Sequence, residues 1–196
     1  MAKTASQALS TPQERWLDAS KQVAIIVSAT LFVALCAHIS IPLPFTPVPL
    51  TVQNFGVLLV GLLLGSRKGF AAMALYLAEG AAGLPVFSVS PLGFHGIGQM
   101  LGPTGGFLLS YPFVAFVAGY IFEHGRKSIS RGIIAGVLSE CLLFTVALAW
   151  IYAFTHSLAK AAYFGLYWFV AAEVLKIMFA AAIASRWFRS ANSEAA

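Results

Sequence analysis

The chain has 196 residues, of which 59% are hydrophobic and only 10% are charged, whereas soluble domains average about 25% charged residues. This composition excludes an ordinary water-soluble domain, because a globular fold leaves roughly 30% of the unfolded chain's surface exposed and much of that surface would be apolar. The formal net charge of +5 does not indicate nucleic-acid binding, since the basic residues form short clusters between apolar blocks.

The apolar blocks predict membrane-spanning helices, each of which needs about 20 residues. Residues 1–22 are polar and are predicted to form a cytoplasmic leader or a short interfacial helix. A six-helix membrane domain is predicted over residues 23–189, followed by a cytoplasmic tail over residues 190–196. The six spans are predicted near residues 23–38, 50–65, 68–82, 105–123, 131–155 and 160–185. The fold class is therefore an all-α integral membrane protein.

Two segments interrupt the predicted helices. Residues 39–49 contain four prolines, which cannot continue a helix because each one lacks an N–H donor and clashes with the preceding turn. This proline-rich loop is predicted to be extended and stiff. Residues 83–106 are rich in glycine and proline but remain apolar. This glycine-rich loop is predicted to be a lid that packs over the helix ends, since its apolar character argues against disorder.

The distribution of basic residues predicts the orientation in the membrane. Ten of the twelve Lys and Arg residues lie in the leader, the gap between spans two and three, the gap between spans four and five, and the C-terminal region. The proline-rich and glycine-rich loops contain neither residue. Because Lys and Arg are enriched on the cytoplasmic side, both termini are predicted to be cytoplasmic, and both loops are predicted to lie outside the cytoplasmic membrane.

Four ionisable residues stand out in the predicted spans: Glu79, Glu140, Glu173 and Lys176. Such residues usually pair or face a functional cavity, because a charge at a helix centre costs about 2.5 to 3.5 kcal/mol. Glu173 and Lys176 are three residues apart and share a helical face, so they form either a ligand site or a self-neutralising structural pair. Glu140 has a similar depth and is interpreted as a structural counter-ion of Lys176 or as part of that site. Glu79 either snorkels to water or lines a pocket beneath the lid.

Several motifs of catalysis are absent from the sequence. There is no G-x-x-x-x-G-K-[ST] motif for nucleotide phosphates, so the chain is not expected to hydrolyse ATP itself. There is no H-E-x-x-H or G-x-S-x-G motif, and the histidines show no metal-site spacing. We therefore expect no enzyme activity, no metal and no cofactor. A membrane-embedded enzyme that uses Glu79 or Glu140 as an acid or base is the alternative from another class.

Three stretches closely resemble the BioY family: HISIPLPFTPVPLTVQNFGVLLVGLLLG at 38–65, LYLAEGAAGLPVF at 75–87 and LGPTGGFLLSYP at 101–112. Members of this family are the biotin-specific S components of energy-coupling factor (ECF) transporters. The resemblance implies six membrane helices, biotin bound near the outer face, and assembly with a transmembrane coupling subunit and two ATP-binding-cassette ATPases that hydrolyse ATP. A solitary biotin transporter without the ATPase module is the alternative.

The same resemblance implies a set of ligand residues. The family's Asp-x-x-Lys in the last helix corresponds to Glu173 and Lys176. Biotin has a ureido ring with two N–H donors and a carbonyl, an apolar bicycle and a carboxylate arm. Glu173 is expected to accept a ureido N–H, and Lys176 is expected to meet the carbonyl or the carboxylate. The further candidates are Glu79 as a second acceptor, Gln53, the loop phenylalanines Phe45 and Phe87 over the bicycle, and His95 with backbone N–H groups near Thr104 for the carboxylate.

Overall fold

The computed structural model describes residues 12–193, and they form a helical bundle with one short β ladder. The helices are α1 Pro12–His38, α2 Gln53–Leu64, α3 Ser66–Ala81, α4 Ile97–Leu101, α5 Gly105–Glu123, α6 Ile129–Thr155, α7 Leu158–Gly165 and α8 Val170–Ser193. The strands β1 Ser40–Ile41 and β2 Leu50–Thr51 are antiparallel. The predicted all-α class is confirmed apart from this ladder. Residues 1–11 of the predicted leader and 194–196 of the predicted tail lie outside the described residues.

The proline-rich loop is closed at its base by the β ladder. Ser40 lies opposite Thr51 and Ile41 lies opposite Leu50, so the two ends of the loop meet where α1 stops and α2 starts. The sequence predicts an extended segment here, and the extended backbone is what allows the two ends to pair. The loop therefore leaves and rejoins the bundle at one point.

Three helical segments within residues 12–193 are long and apolar enough to cross a membrane: Trp16–His38, Gly105–Glu123 and Ile129–Thr155. Helices α7 and α8 would together make a fourth crossing, although they meet at an angle of 49°. The stretch predicted as one span near 160–185 is thus divided by turns at residues 166–169. Thr46 Oγ1 donates to the Phe164 carbonyl at 2.7 Å, which satisfies an acceptor that the break exposes. The number of spans and the side of the termini stay predictions.

The outer surface of the bundle is apolar. Leu35, Phe113 and Phe179 are each more than half exposed, and these side chains lie on three different helices. A soluble monomer rarely exposes so much contiguous apolar surface, whereas lipid removes the cost of exposing it. Together with the apolar helices, this surface makes the chain a multi-pass membrane protein.

Small residues allow the central helices to approach closely. A Cβ added at Gly69 would lie 3.2 Å from the Gly61 Cα, and one at Gly119 would lie 2.8 Å from the Gly61 carbonyl oxygen. Close approach of this kind favours helix association in lipid, where there is no hydrophobic drive between helices. Gly65 joins α2 to α3 with a φ of 80°, a conformation that glycine adopts without a steric penalty. Helices α2, α3 and α5 therefore form a tightly packed group.

Gly106 sets the distance between α5 and α6, and its replacement should lower the stability of the fold. A Cβ at Gly106 would lie 2.9 Å from the Ala147 Cα and would collide with the Trp150 side chain. Overpacking of this kind costs about 1 to 3 kcal/mol. We expect Gly106→Ala to lower the Tm in detergent by roughly 2 to 10 °C, measured by thermal unfolding.

Gly98→Ala is the matched control for this substitution. A Cβ at Gly98 would meet only the edge of the Phe94 ring, at 4.0 Å, which is ordinary van der Waals contact. Its Tm should stay close to that of the unmodified protein. Equal losses of Tm in the two variants would contradict the close-approach argument.

Candidate functional site

A polar cavity lies inside the bundle, where the two loops meet the helix ends. Its volume is about 40 Å³, well below the roughly 300 to 1,000 Å³ of small-ligand sites, so its lining must move apart before a solute larger than water can be enclosed. Its polar lining residues are Thr51, Gln53, Asn54, Ser88, Gln99, Thr104, Tyr111, Glu173 and Lys176. Its apolar lining residues are Val48, Pro49, Phe107, Leu108, Leu143 and Phe169.

Glu173 and Lys176 form a salt bridge on α8. The Lys176 Nζ lies 2.7 Å from the Glu173 Oε1, and the two side chains are only 12% and 7% exposed. Their three-residue spacing places them on one face of the helix, and that face lines the cavity. The two charges therefore neutralise each other, as expected for a structural pair. The pair also lines a polar cavity, as expected for a ligand site.

Asn54 connects this pair to Glu140 on α6. The Asn54 Nδ2 donates to the Glu173 Oε2 at 2.9 Å and to the Glu140 Oε1 in a short hydrogen bond. The Asn54 Oδ1 and the Glu140 Oε2 are buried and have no hydrogen-bond partner among the residues that the structure describes. A buried acceptor without a donor costs about 1 to 3 kcal/mol. A ligand N–H directed at the Asn54 Oδ1 would therefore be bound favourably.

The structure does not form the direct Glu140–Lys176 ion pair that the sequence suggested. Within residues 12–193, the Lys176 ammonium pairs with Glu173, and Glu140 reaches the pair through Asn54. The reason is that Glu173 lies one turn away on the same helix, so it holds the ammonium at short range. Glu140 is instead joined to the cluster by the Asn54 amide, and its structural role stays a prediction.

Gln53 and Thr104 line the cavity, as expected for ligand residues. The Gln53 Nε2 donates to the Tyr76 hydroxyl at 2.8 Å, and that hydroxyl donates to the Val86 carbonyl at 2.6 Å. This chain of hydrogen bonds joins α2, α3 and the glycine-rich loop. Thr104 precedes α5 and donates from its hydroxyl to the Gln99 carbonyl at 3.4 Å. The first residues of α2 and α5 thus both present polar groups to the cavity.

Glu79 and His95 do not line the cavity. Glu79 is half-buried near the end of α3 and accepts a hydrogen bond from the Thr30 Oγ1 on α1 at 3.1 Å. His95 is exposed in the glycine-rich loop. The rotation of α3 directs Glu79 towards α1, and the loop leaves His95 at the surface. The ligand contacts expected of these two residues stay predictions.

Phe45 and Phe87 also lie outside the lining, in packing roles. The Phe45 ring lies 4.3 Å from the Trp168 ring, measured between centroids, and joins the proline-rich loop to the turn between α7 and α8. Phe87 is buried and packs edge-on against Tyr76 at 5.4 Å. The aromatic residues that line the cavity are instead Phe107 and Phe169, whose ring centroids are 6.3 Å apart.

The glycine-rich loop is folded and is tied to the bundle. It contains α4, and the Gln99 Nε2 donates to the Ser88 carbonyl at 2.8 Å. The Trp150 Nε1 on α6 donates to the Gly102 carbonyl at 2.9 Å. Both hydrogen bonds are accepted by backbone carbonyls of the loop, one from the loop's own Gln99 side chain and one from Trp150 on α6, so together they hold its path. The loop contributes Ser88 and Gln99 to the cavity.

The sequence interpretation missed Asn54, Gln99 and Tyr111. Asn54 had a readable signal, since an amide inside an otherwise apolar helix is costly in lipid and therefore faces an interior. Tyr111 is almost completely buried, but the sequence pattern does not distinguish a buried tyrosine from one at the membrane interface. Gln99 lies in a loop, where an exposed position is the ordinary expectation.

Comparisons with known proteins agree with the resemblance seen in the motifs. The model of the BioY family matches residues 5–193. The biotin transporter BioY of Thermotoga maritima is 37% identical over 165 residues, which cover 82% of this chain and 94% of that protein. The probable biotin transporter BioY of Pyrococcus horikoshii is 32% identical over 168 residues, which cover 85% and 96% of the two chains.

The fold is similar to a solved structure. The crystal structure of the S-component for biotin from an ECF-type ABC transporter superposes with a TM-score of 0.77, over 92% of this chain and 95% of that chain. The sequence identity is 24%, so this likeness establishes the fold. The arrangement of helices around the cavity is therefore that of a known class of membrane proteins.

Proposed function

Because this chain belongs to the BioY family, we propose that it captures biotin at the outer face of the cytoplasmic membrane and imports it as the S component of an ECF transporter. The observation that carries the proposal is the buried cavity around Glu173, Lys176 and Asn54. A buried carboxylate beside an unpaired amide oxygen favours a ligand with two N–H donors. The ureido ring of biotin has both donors.

The polar groups of the cavity match the ureido ring in number and type. One ureido N–H is assigned to the Glu173 carboxylate and the other to the Asn54 Oδ1, which has no other donor within residues 12–193. The Lys176 ammonium has three donors, and Glu173 uses one of them. The remaining donors are assigned to the ureido carbonyl or to the carboxylate arm.

The apolar part of the lining matches the biotin bicycle. Val48, Phe107 and Phe169 lie on the same cavity as the polar cluster, so a ligand with a polar ring fused to an apolar one satisfies both sets of contacts. Sites of this kind bind by burying apolar surface and use a few polar groups to set the orientation. The chemistry of the lining therefore suits biotin better than a uniformly polar solute.

Energy for transport is assigned to partner subunits. The sequence has no phosphate-binding loop, so this chain lacks the backbone cradle in which such loops hold ATP phosphates. A transmembrane coupling subunit and two ATP-binding-cassette ATPases are the proposed partners, and this chain carries no cofactor of its own. Its task is to bind biotin from outside and to release it when the ATPases drive a change of conformation.

Binding of radiolabelled biotin to the detergent-purified protein tests the capture step. We expect saturable binding of one biotin per chain, which excess unlabelled biotin abolishes. Biotin with an amidated arm should compete more weakly if Lys176 contacts the carboxylate, and equally well if Lys176 contacts the ureido carbonyl. Absence of saturable binding from a correctly folded preparation would contradict the proposal.

Uptake of biotin into cells tests the coupling step. Cells that express this chain with its coupling subunit and ATPases should accumulate biotin, and loss of ATP hydrolysis in the ATPases should abolish the accumulation. Undiminished uptake without the ATPases would instead favour a solitary transporter. Binding measured on the same cells' membranes is the control, since it should not depend on the ATPases.

A further inference from the structure

A basic pocket lies at the end of the bundle opposite the biotin cavity, between the α5–α6 turn and the C-terminal part of α8. Its lining residues are Arg126, Lys127, Ser128, Phe188 and Arg189. The empty space, including the part open to solvent, is about 1250 Å³. Three of the five lining side chains are cationic and none is acidic, so the pocket is suited to an anion.

The pocket has a defined structure, because hydrogen bonds and ring contacts hold its walls. The Arg131 Nε donates to the Ile121 carbonyl at 2.6 Å, and its guanidinium also donates to the His124 carbonyl at 3.1 Å. These bonds hold the α5–α6 turn against the end of α5. The Ser128 Oγ accepts from the Arg131 backbone N–H at 3.3 Å and caps α6.

Lys127 is held by two aromatic rings. Its Nζ lies 4.8 Å from the centroid of the Phe122 ring and 4.7 Å from that of Phe188. Cation–π contacts of this length position an ammonium, so the Lys127 charge has a fixed place in the pocket. Burial is the largest cause that lowers the pKa of Lys127, and a bound anion would oppose this change.

The nearby carboxylate of Glu123 is hydrogen-bonded outside the pocket. The Glu123 Oε2 accepts from the Ser66 backbone N–H at 3.0 Å, and the Oε1 accepts from the Ser66 hydroxyl at 2.5 Å. Both carboxylate oxygens are thus used at the start of α3. Glu123 does not line the pocket, and none of the lining residues is acidic. The charge of Glu123 still acts on Lys127, where it raises the pKa against the effect of burial.

The position of the pocket indicates where its anion comes from. It lies at the ends of α5 and α6, two helices that are long and apolar enough to cross a membrane, and therefore at the level of lipid headgroups. The distribution of Lys and Arg predicts that this end is cytoplasmic, where anionic lipids are enriched and where basic pockets between helices bind their headgroups. We infer that this pocket binds the phosphate of an anionic phospholipid headgroup.

A lipid titration of the detergent-purified protein tests this inference. Phosphatidylglycerol should raise the Tm by several degrees, because a ligand that binds only the folded state stabilises it by mass action. Phosphatidylcholine, which has no net charge, should have little effect, and inorganic phosphate alone should not reproduce the shift. The triple variant Arg126→Gln, Lys127→Gln, Arg189→Gln should lose the response to phosphatidylglycerol.

Two control variants separate the pocket from general basic charge. Arg67→Gln with Lys68→Gln removes two cations at the start of α3, outside the pocket, and should keep the full response. Arg126→Lys, Lys127→Arg and Arg189→Lys together keep the charge and should keep most of the response. Biotin binding by each variant reports that the fold is intact, and it should not change because the biotin cavity lies at the other end of the bundle.

Four results would overturn the inference. The first is an undiminished phosphatidylglycerol response in the triple Gln variant. The second is an equal response of the unmodified protein to phosphatidylcholine. The third is an equal response to inorganic phosphate, which would assign the pocket to a soluble anion. Stabilisation of the protein by an acidic peptide but not by phosphatidylglycerol would likewise replace the lipid with a protein partner.

Discussion

Glu173→Gln is expected to weaken biotin binding by at least about a hundredfold, which corresponds to about 2.7 kcal/mol. The substitution removes the anionic acceptor assigned to a ureido N–H, and hydrogen bonds to a charged group are worth about 1.5 to 3 kcal/mol. It also leaves the Lys176 ammonium without its 2.7 Å partner in a nearly buried position. Equilibrium binding of radiolabelled biotin to the purified variant measures the loss.

Glu79→Gln is the matched control for this prediction. It replaces another carboxylate within a predicted span by an amide. Glu79 contacts Thr30, however, and does not line the cavity. Its affinity for biotin should change by less than about threefold. Thermal unfolding of both variants shows whether either loss comes from misfolding. Equal affinity in the Glu173 variant and the unmodified protein would remove Glu173 from the site.

Asn54→Leu is expected to lower both stability and biotin affinity. Asn54 donates to one oxygen of each of two buried carboxyl groups, and leaving a buried acceptor without its donor costs about 1 to 3 kcal/mol for each group. The Tm should therefore fall by roughly 5 to 15 °C, measured by thermal unfolding in detergent. Biotin affinity should fall by about tenfold or more, since the Asn54 Oδ1 assigned to the second ureido N–H is also lost.

A double variant separates the two effects of Asn54→Leu. Adding Glu140→Leu removes the carboxylate that the first substitution leaves unpaired, and replacing both partners of a buried polar contact by apolar groups can be nearly neutral. The double variant should recover part of the lost Tm but none of the lost biotin affinity. A Tm lower than that of Asn54→Leu alone would contradict the assignment of Glu140 to a structural role.

The binding site was only partly predictable from the sequence. The pairing of Glu173 with Lys176 depends on spacing within one helix, and it was predicted and observed. The partner of Glu140 was not predicted, because the Asn54–Glu140 contact joins residues that are 86 positions apart. The turns that separate α7 from α8 were also missed, since residues 166–169 are as apolar as the helices around them.

The sequence by itself determined the helical membrane class, the two apolar loops and the charged pair on the last helix. Composition and spacing are local properties, and in lipid a helix is the form that satisfies its own backbone. Only the tertiary structure decided that Asn54 donates to both Glu140 and Glu173, the second of which is 119 positions further along the chain than Asn54. It also decided that Glu79 faces Thr30. Those contacts depend on how each helix is rotated against its neighbours, and close packing of small residues across the bundle sets that rotation.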